Sequence, residues 1–121
     1  MKRLFILTAL LLPCAANADI VNHKWDQGAF AHAGKIAPKK FIEICGKLAK
    51  GEQVGWQFTA TGPTNFNIHY HVGKDVLYPE RRNAVDKGDG TLMVALDQDY
   101  CWMWSNKGDT EVNLEVRLRK P

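Results

Sequence analysis

The sequence predicts an all-β fold, an antiparallel β-sandwich that occupies residues 41–121. At least five runs of residues in this region alternate between apolar and polar side chains, which is the period of a half-buried strand. Glycine, proline, asparagine or aspartate residues separate the runs, and no segment after residue 41 keeps a long helical period. A chain of 121 residues that is 45% hydrophobic is sufficient for one such domain.

The beginning of the chain is organised as a cleavable secretion signal. Lys2 and Arg3 form a positive n-region, and residues 4–12 are an apolar segment that is too short to span a bilayer as a helix. Small residues precede Asp19, so we expect the signal to cover residues 1–18. The sequence therefore predicts a periplasmic or secreted protein with no membrane span in its mature chain.

Removal of the signal changes the charge of the protein. The complete chain has a formal net charge of +3, and the loss of Lys2 and Arg3 lowers it to +1. A nearly neutral domain lacks the basic excess with which proteins bind a phosphate backbone. The sequence therefore argues against nucleic acid as a partner.

Residues 19–40 are predicted to form a loosely structured N-terminal arm. Glycines and Pro38 interrupt this segment, and its apolar residues keep no regular period. We expect a short helical turn near residues 29–33 at most, and we expect Trp25 and Phe30 to pack the arm against the domain.

The strands of the domain follow from residue 41 onward. Their composition and alternation predict strands at 41–45, 54–60, 66–72, 92–96, 100–105 and 112–118. Residues 73–90 are predicted to be the longest loop, with a short strand at Asp75–Tyr78 and a turn at Gly88–Gly90. The inner faces are predicted to bury a set of aromatic residues: Trp56, Phe58, Phe66, Tyr70, Trp102 and Trp104.

Two cysteines, Cys45 and Cys101, remain after the signal is removed. An even pair in an oxidising compartment is most simply a disulfide. Such a bond closes a loop of over fifty residues and, by loop-closure entropy, stabilises the domain by about 3–4 kcal/mol.

Several short motifs follow one another in a fixed order between residues 41 and 119. They are Glu43-Ile44-Cys45, Trp56-Gln57-Phe58, Phe66-Asn67-Ile68, Asp89-Gly90-Thr91-Leu92 and the run from Tyr100 to Asn106. This order resembles the GOLD domain, the luminal β-sandwich of Golgi-dynamics and cargo-receptor proteins. The resemblance implies a GOLD-like or jelly-roll-like sandwich, here as a stand-alone exported domain of bacterial type.

The resemblance to the GOLD domain also bears on function and on the disulfide. It implies protein–protein or lipid-linked interaction and no catalytic residues. Cargo-receptor members link the first strand to the strand that ends in Ser-Asn. Cys45 matches the first of these positions, but the second would fall at Met103, one pleat away from Cys101.

His69 and His71 are the most informative polar residues of the sequence. Residues i and i+2 of a strand point to the same face. Because the apolar neighbours occupy the inner face, the two imidazoles are expected to be exposed side by side on the outer face, about 7 Å apart at Cα. Such a pair is half of a zinc or copper site. The alternative is a solvated pair of histidines with no metal.

Further ligands are needed to complete a metal site. Met103 is a candidate if the strands at 66–72 and 100–105 are neighbours. His23 and His32 of the arm are also candidates, and a free Cys101 would favour copper because soft ligands select it. A disulfide removes Cys101 from ligation.

The sequence contains no catalytic motif, since neither Gly-x-Ser-x-Gly nor His-Glu-x-x-His occurs. We therefore expect an exported, non-enzymatic binding module whose ligand is a protein partner or a copper or zinc ion. One alternative is a protein-interaction domain with no small ligand, which uses an exposed patch or a free sheet edge. A weaker alternative is a glycan-binding module that uses Trp25 and Tyr78.

Overall fold

The computed structural model describes residues 18–121, and the predicted signal segment up to residue 17 lies outside the described residues. Its strands are β1 (Ala18–Asn22), β2 (Ala29–Ile36), β3 (Phe41–Leu48), β4 (Gln53–Val72), β5 (Asp75–Met93), β6 (Gln98–Ser105) and β7 (Val112–Arg119). The described part of the chain contains no helix. The predicted all-β class is therefore confirmed.

Within residues 18–121, the structure offers no helix capable of spanning a bilayer.

The strands form one hydrogen-bonded sheet in the order β1-β3-β6-β4-β7-β2, with β5 paired to β4. The first half of β4 pairs with β7, and its second half pairs with β6. The ladder between β4 and β5 shifts register between Thr59 and Phe66, where β4 passes from one partner to the other. Such irregularities bend a strand. A single curled sheet therefore takes the place of two separate sheets.

The inner face of the curled sheet encloses the core. Phe66 lies 4.9 Å from both Trp56 and Phe58 and 5.3 Å from Trp104, measured between ring centroids. These contacts join the two halves of β4 across the curl. Of the aromatic residues predicted for the core, Tyr70 is half-buried against the core, and the other five are buried: Trp56, Phe58, Phe66, Trp102 and Trp104.

Two glycines of β5 lie under aromatic rings of β4. Trp56 pairs with Gly90, and Phe58 pairs with Gly88. A Cβ atom at Gly90 would lie 2.6 Å from the Trp56 ring, and one at Gly88 would lie 2.8 Å from the Phe58 ring. The glycines are needed because the rings lie directly on the backbone. The predicted turn at these residues is instead part of a strand.

The structure differs from the sequence prediction in four respects. The segment 19–40 is not a loose arm, because it contains the two edge strands β1 and β2. No helical turn forms at 29–33, where β2 pairs with β7. Residues 73–90 are not a loop, since β5 covers them from Asp75 onward. Finally, β1 pairs with β3 in parallel, so the sheet is not entirely antiparallel. In each case pairing with a neighbouring strand overrides a weak local pattern.

Candidate functional site

The outer face of β3, β6 and β4 carries a compact group of side chains that we call the polar cluster: Glu43, Cys45, Asn67, His69 and Cys101. β6 lies between β3 and β4 and pairs with both. Cys45 lies directly opposite Cys101, and the two residues form a disulfide with their Cα atoms 4.1 Å apart. The predicted bond between these two cysteines is therefore confirmed.

His69 is the centre of the polar cluster, and its side chain is only 9% exposed. Its Nδ1 lies 2.7 Å from Oδ1 of Asn67, and its Nε2 lies 3.2 Å from Oε1 of Glu43. Burial lowers the pKa of His69; the Glu43 carboxylate opposes this shift, and His71 adds to it. The ring is therefore neutral near pH 7, with both nitrogens facing a partner.

His71 and Met103 lie on the same face as His69. The centroids of the two imidazoles are 5.5 Å apart, which is the side-by-side placement predicted from the strand period. The predicted exposure is wrong for His69, which is buried beside Asn67 and Glu43, and holds only for His71. Met103 lies opposite both Glu43 and Asn67, because β4 and β6 are neighbours. The structure thus brings the three predicted ligands to one face. Metal binding by His69, His71 and Met103 stays a prediction.

The two histidines of the N-terminal segment do not join the polar cluster. His23 is buried on the inner face, where its ring lies on Gly46 and its centroid is 6.2 Å from that of Trp102. Burial lowers the pKa of His23. His32 is half-buried on β2, on the same face as the buried residue Ile36. Both side chains are therefore on the other face of the sheet.

Trp25 and Tyr78, the residues considered for glycan binding, lie on opposite faces of the sheet. The half-buried Trp25 ring is 5.0 Å from the ring of His23 on the inner face. The Tyr78 ring is 6.0 Å from that of His69 on the outer face, and the guanidinium of Arg81 lies 3.9 Å from its centroid. The two rings do not form one aromatic surface, so the geometry does not support the glycan alternative.

The hairpin of β4 and β5 ends in an exposed apolar segment, residues 72–78, that we call the hairpin tip. It contains four of the seven large hydrophobic residues that the described part of the chain exposes: Val72, Val76, Leu77 and Tyr78. At its base, Nε2 of Gln98 donates a hydrogen bond of 2.9 Å to the carbonyl oxygen of His71. Grouped apolar side chains of this kind mark interaction surfaces.

A shallow groove of 890 Å³ crosses the outer face of β2, β7 and β4, and Arg117 and Arg119 line it. Among the described residues, one group of possible metal ligands has its ligand atoms within 4.8 Å of one another: Glu43, His69 and Cys101. That group belongs to the polar cluster and not to the groove.

Sequence reasoning missed Glu43 and Asn67, the two partners of His69. Both residues follow from strand pairing rather than from a local motif. Once Cys45 is set opposite Cys101, antiparallel pairing places Glu43 opposite Met103. The cysteine pair is therefore the signal that was available in the sequence for locating Glu43.

The comparisons with known proteins agree on the fold. No protein-family model and no curated protein sequence matches the chain. The periplasmic inhibitor of g-type lysozyme PliG from Aeromonas hydrophila matches with a TM-score of 0.65 and 12% identity, over 86% of this chain and 97% of that chain. PliG from Salmonella Typhimurium matches with a TM-score of 0.61 and 14% identity, over 85% of this chain and 99% of that chain. The Yersinia pseudotuberculosis-derived mitogen matches with a TM-score of 0.59 and 13% identity, over 75% of this chain and 84% of that chain.

These structural similarities define the class of the protein as an all-β domain with the fold of the PliG proteins. They do not bear on the GOLD domain, so that resemblance stays a prediction.

Proposed function

We propose that this chain is an exported, non-enzymatic protein-binding module that inhibits a lysozyme-type hydrolase of the cell envelope. The observation that carries the proposal is the similarity to two PliG inhibitors, which covers 97% and 99% of their chains. The predicted signal at residues 1–18 supports the same compartment, since both of those proteins are periplasmic.

The hairpin tip is the surface that we assign to partner binding. Its apolar side chains contribute little to the core and are exposed to solvent, so burying them against a partner removes apolar area from water. Tyr78 is held under the guanidinium of Arg81, 3.9 Å away, which limits the side-chain entropy that binding would cost. Ordered aromatic side chains of this kind are frequent anchors of protein interfaces.

The chemistry of the polar cluster supports a non-enzymatic role. Cys45 and Cys101 form a disulfide, so neither is a free thiol nucleophile. The nitrogens of His69 face Asn67 and Glu43 rather than a nucleophile. The cluster therefore lacks the pairing of nucleophile and base on which covalent catalysis depends.

Inhibition of a purified g-type lysozyme is the direct test of the proposal. The mature chain is added to the enzyme, and both the lysis of a peptidoglycan suspension and the dissociation constant are measured. We expect the wild type to bind and to slow lysis. The Leu77→Ser/Tyr78→Ser variant should bind more than about tenfold more weakly, because interface anchors dominate binding energy.

The matched control is Ile20→Ser/Met93→Ser. Among the large hydrophobic residues that the structure describes, these two are the most exposed, at 66% and 60%, and they lie outside the hairpin tip. The control should inhibit as strongly as the wild type. An equal loss in both variants would reject the hairpin tip as the contact surface, and a wild type that does not bind lysozyme would reject the inhibitor function.

A further inference from the structure

The polar cluster places metal-ligating groups together on the outer face of the sheet. The side chains of His69 and Glu43 are only 9% and 16% exposed. Ligand atoms of Glu43, His69 and Cys101 lie within 4.8 Å of one another, and Cys45 is bonded to Cys101. Four potential ligands therefore converge, and the disulfide holds two of them in a form that does not ligate a metal.

Asn67 and Glu43 face the two ring nitrogens of His69. Nδ1 lies 2.7 Å from Oδ1 of Asn67, and Nε2 lies 3.2 Å from Oε1 of Glu43. In a neutral imidazole one nitrogen carries the proton and the other carries a lone pair. When the proton is on Nδ1, the lone pair of Nε2 and the Glu43 carboxylate converge on one point, which is an arrangement that holds a cation.

We propose that reduction of the disulfide opens a zinc site whose ligands are Sγ of Cys45, Sγ of Cys101, Nε2 of His69 and Oε1 of Glu43. A dithiol reductant supplies two electrons and two protons and becomes a disulfide itself, while the S–S bond breaks and two thiols form. Zn²⁺ then displaces the two thiol protons, which pass to solvent. The ion is held by two thiolates, one imidazole and one carboxylate.

The distances in the polar cluster suit tetrahedral zinc. Zn–N and Zn–O bonds of about 2.0–2.1 Å place nitrogen and oxygen ligands about 3.3 Å apart. Nε2 of His69 and Oε1 of Glu43 are already 3.2 Å apart. Two thiolates at about 2.3 Å from zinc are about 3.8 Å apart, so the sulfur atoms need to separate once their bond is broken. Asn67 contacts Nδ1 of His69, so Nε2 is the ring nitrogen that faces Glu43.

The cysteines are accessible to a reductant. Both are half-buried on the outer face rather than enclosed in the core. Cys45 lies on β3 and Cys101 on β6, so the disulfide joins two neighbouring strands. The zinc ion would bridge the same two strands in the reduced chain. The site is therefore gated by redox state, because the thiolate ligands exist only after reduction.

Titration of the mature chain with Co²⁺ and Zn²⁺ tests the proposal, before and after reduction followed by removal of the reductant. Co²⁺ reports thiolate ligation through a charge-transfer band and tetrahedral geometry through intense d–d bands. We expect the reduced chain to bind one ion with a thiolate band and the oxidised chain to show no such band. His69→Ala and Glu43→Gln should weaken zinc binding more than about tenfold, whereas His32→Ala and Met93→Leu, which lie outside the polar cluster, should not.

Circular dichroism shows whether the reduced chain keeps its sheet before and after zinc is added. An unfolded chain would bind zinc through Cys45 and Cys101 alone, with the same affinity in the wild type and in His69→Ala. Equal affinities of these two proteins, or a reduced wild type without a thiolate band, folded or not, would overturn the proposal.

Discussion

The hairpin tip and the polar cluster are close together on β4, and they depart from the usual distribution of side chains in opposite ways. The tip leaves Val76 and Leu77 exposed to water. The polar cluster buries His69 and most of Glu43 on the outer face of a sheet, where polar groups are usually solvated. Departures of this kind are expected at functional positions.

The two regions also differ in what they connect. The polar cluster joins β3 to β6 through a covalent bond and joins both strands to β4 through His69. The hairpin tip pairs only within its own hairpin in the described structure. Substitutions in the polar cluster should therefore change folding stability, and substitutions in the hairpin tip should change binding with little effect on stability.

The largest effect is expected from removal of the disulfide. Cys45→Ala/Cys101→Ala frees a loop with a sequence separation of 56 residues. The free energy of unfolding, measured by urea denaturation, should fall by about 3–4 kcal/mol because the unfolded chain gains entropy. A loss of about 0.5 kcal/mol, as for an ordinary surface substitution, would contradict the structural role of the bond.

A smaller loss of stability is expected when one member of the pair formed by His69 and Glu43 is removed. His69→Leu leaves the Glu43 carboxylate mostly buried without its partner and should cost about 1–3 kcal/mol in urea denaturation. The double variant Glu43→Leu/His69→Leu should lose less free energy of unfolding than the losses of the two single variants added together. If the three measurements are additive, the two side chains are not coupled.

His23 is a buried polar group of the inner face, and its protonation should make the stability of the fold depend on pH. Burial, assisted by the charge of Lys120 and opposed by Asp99, lowers its pKa below the ordinary value of 6.5. Above pH 6.5 the ring is neutral in both states, but below it the unfolded chain binds a proton first. Stability should therefore fall as the pH drops from 6.5 toward the lower folded pKa.

Urea denaturation between pH 7.5 and 5 (roughly one unit on either side of the ordinary histidine pKa) measures this dependence. His23→Gln should reduce the slope, and His32→Gln, on the edge strand β2, serves as the matched variant. The account is contradicted if both variants keep the slope of the wild type.

The smallest effect on stability is expected at the hairpin tip. Leu77 is exposed, so Leu77→Ser should change the free energy of unfolding by less than about 0.5 kcal/mol. Leu114 is buried, and Leu114→Ala, its counterpart in the core, should cost about 2–5 kcal/mol. A large loss in Leu77→Ser would show that the hairpin tip supports the fold.

The sequence predicted the strands in which large apolar side chains alternate with polar ones, as in β7. It did not predict β2, because Ala29, Ala31 and Ala33 face outward and give little contrast with the inward residues. It did not predict most of β5, because Gly88 and Gly90 stand where inward side chains are expected and receive the rings of β4 instead. In both strands the deciding contacts come from a neighbouring strand.

The sequence likewise predicted one part of the candidate site and missed another. The common face of His69 and His71 follows from the two-residue period, and the disulfide between Cys45 and Cys101 follows from an even pair of cysteines in an exported chain. The contact between His69 and Glu43 requires the order β3-β6-β4, which no local pattern specifies. The exposure of the hairpin tip likewise depends on how far the hairpin extends beyond its neighbours.

Hydrogen–deuterium exchange of the mature chain, alone and mixed with a g-type lysozyme, tests the central claim most directly. We expect the enzyme to slow exchange at residues 72–78 and to leave exchange at Glu43, Cys45 and Cys101 unchanged. Slowed exchange elsewhere with none at the hairpin tip, or no change at any position, would contradict it.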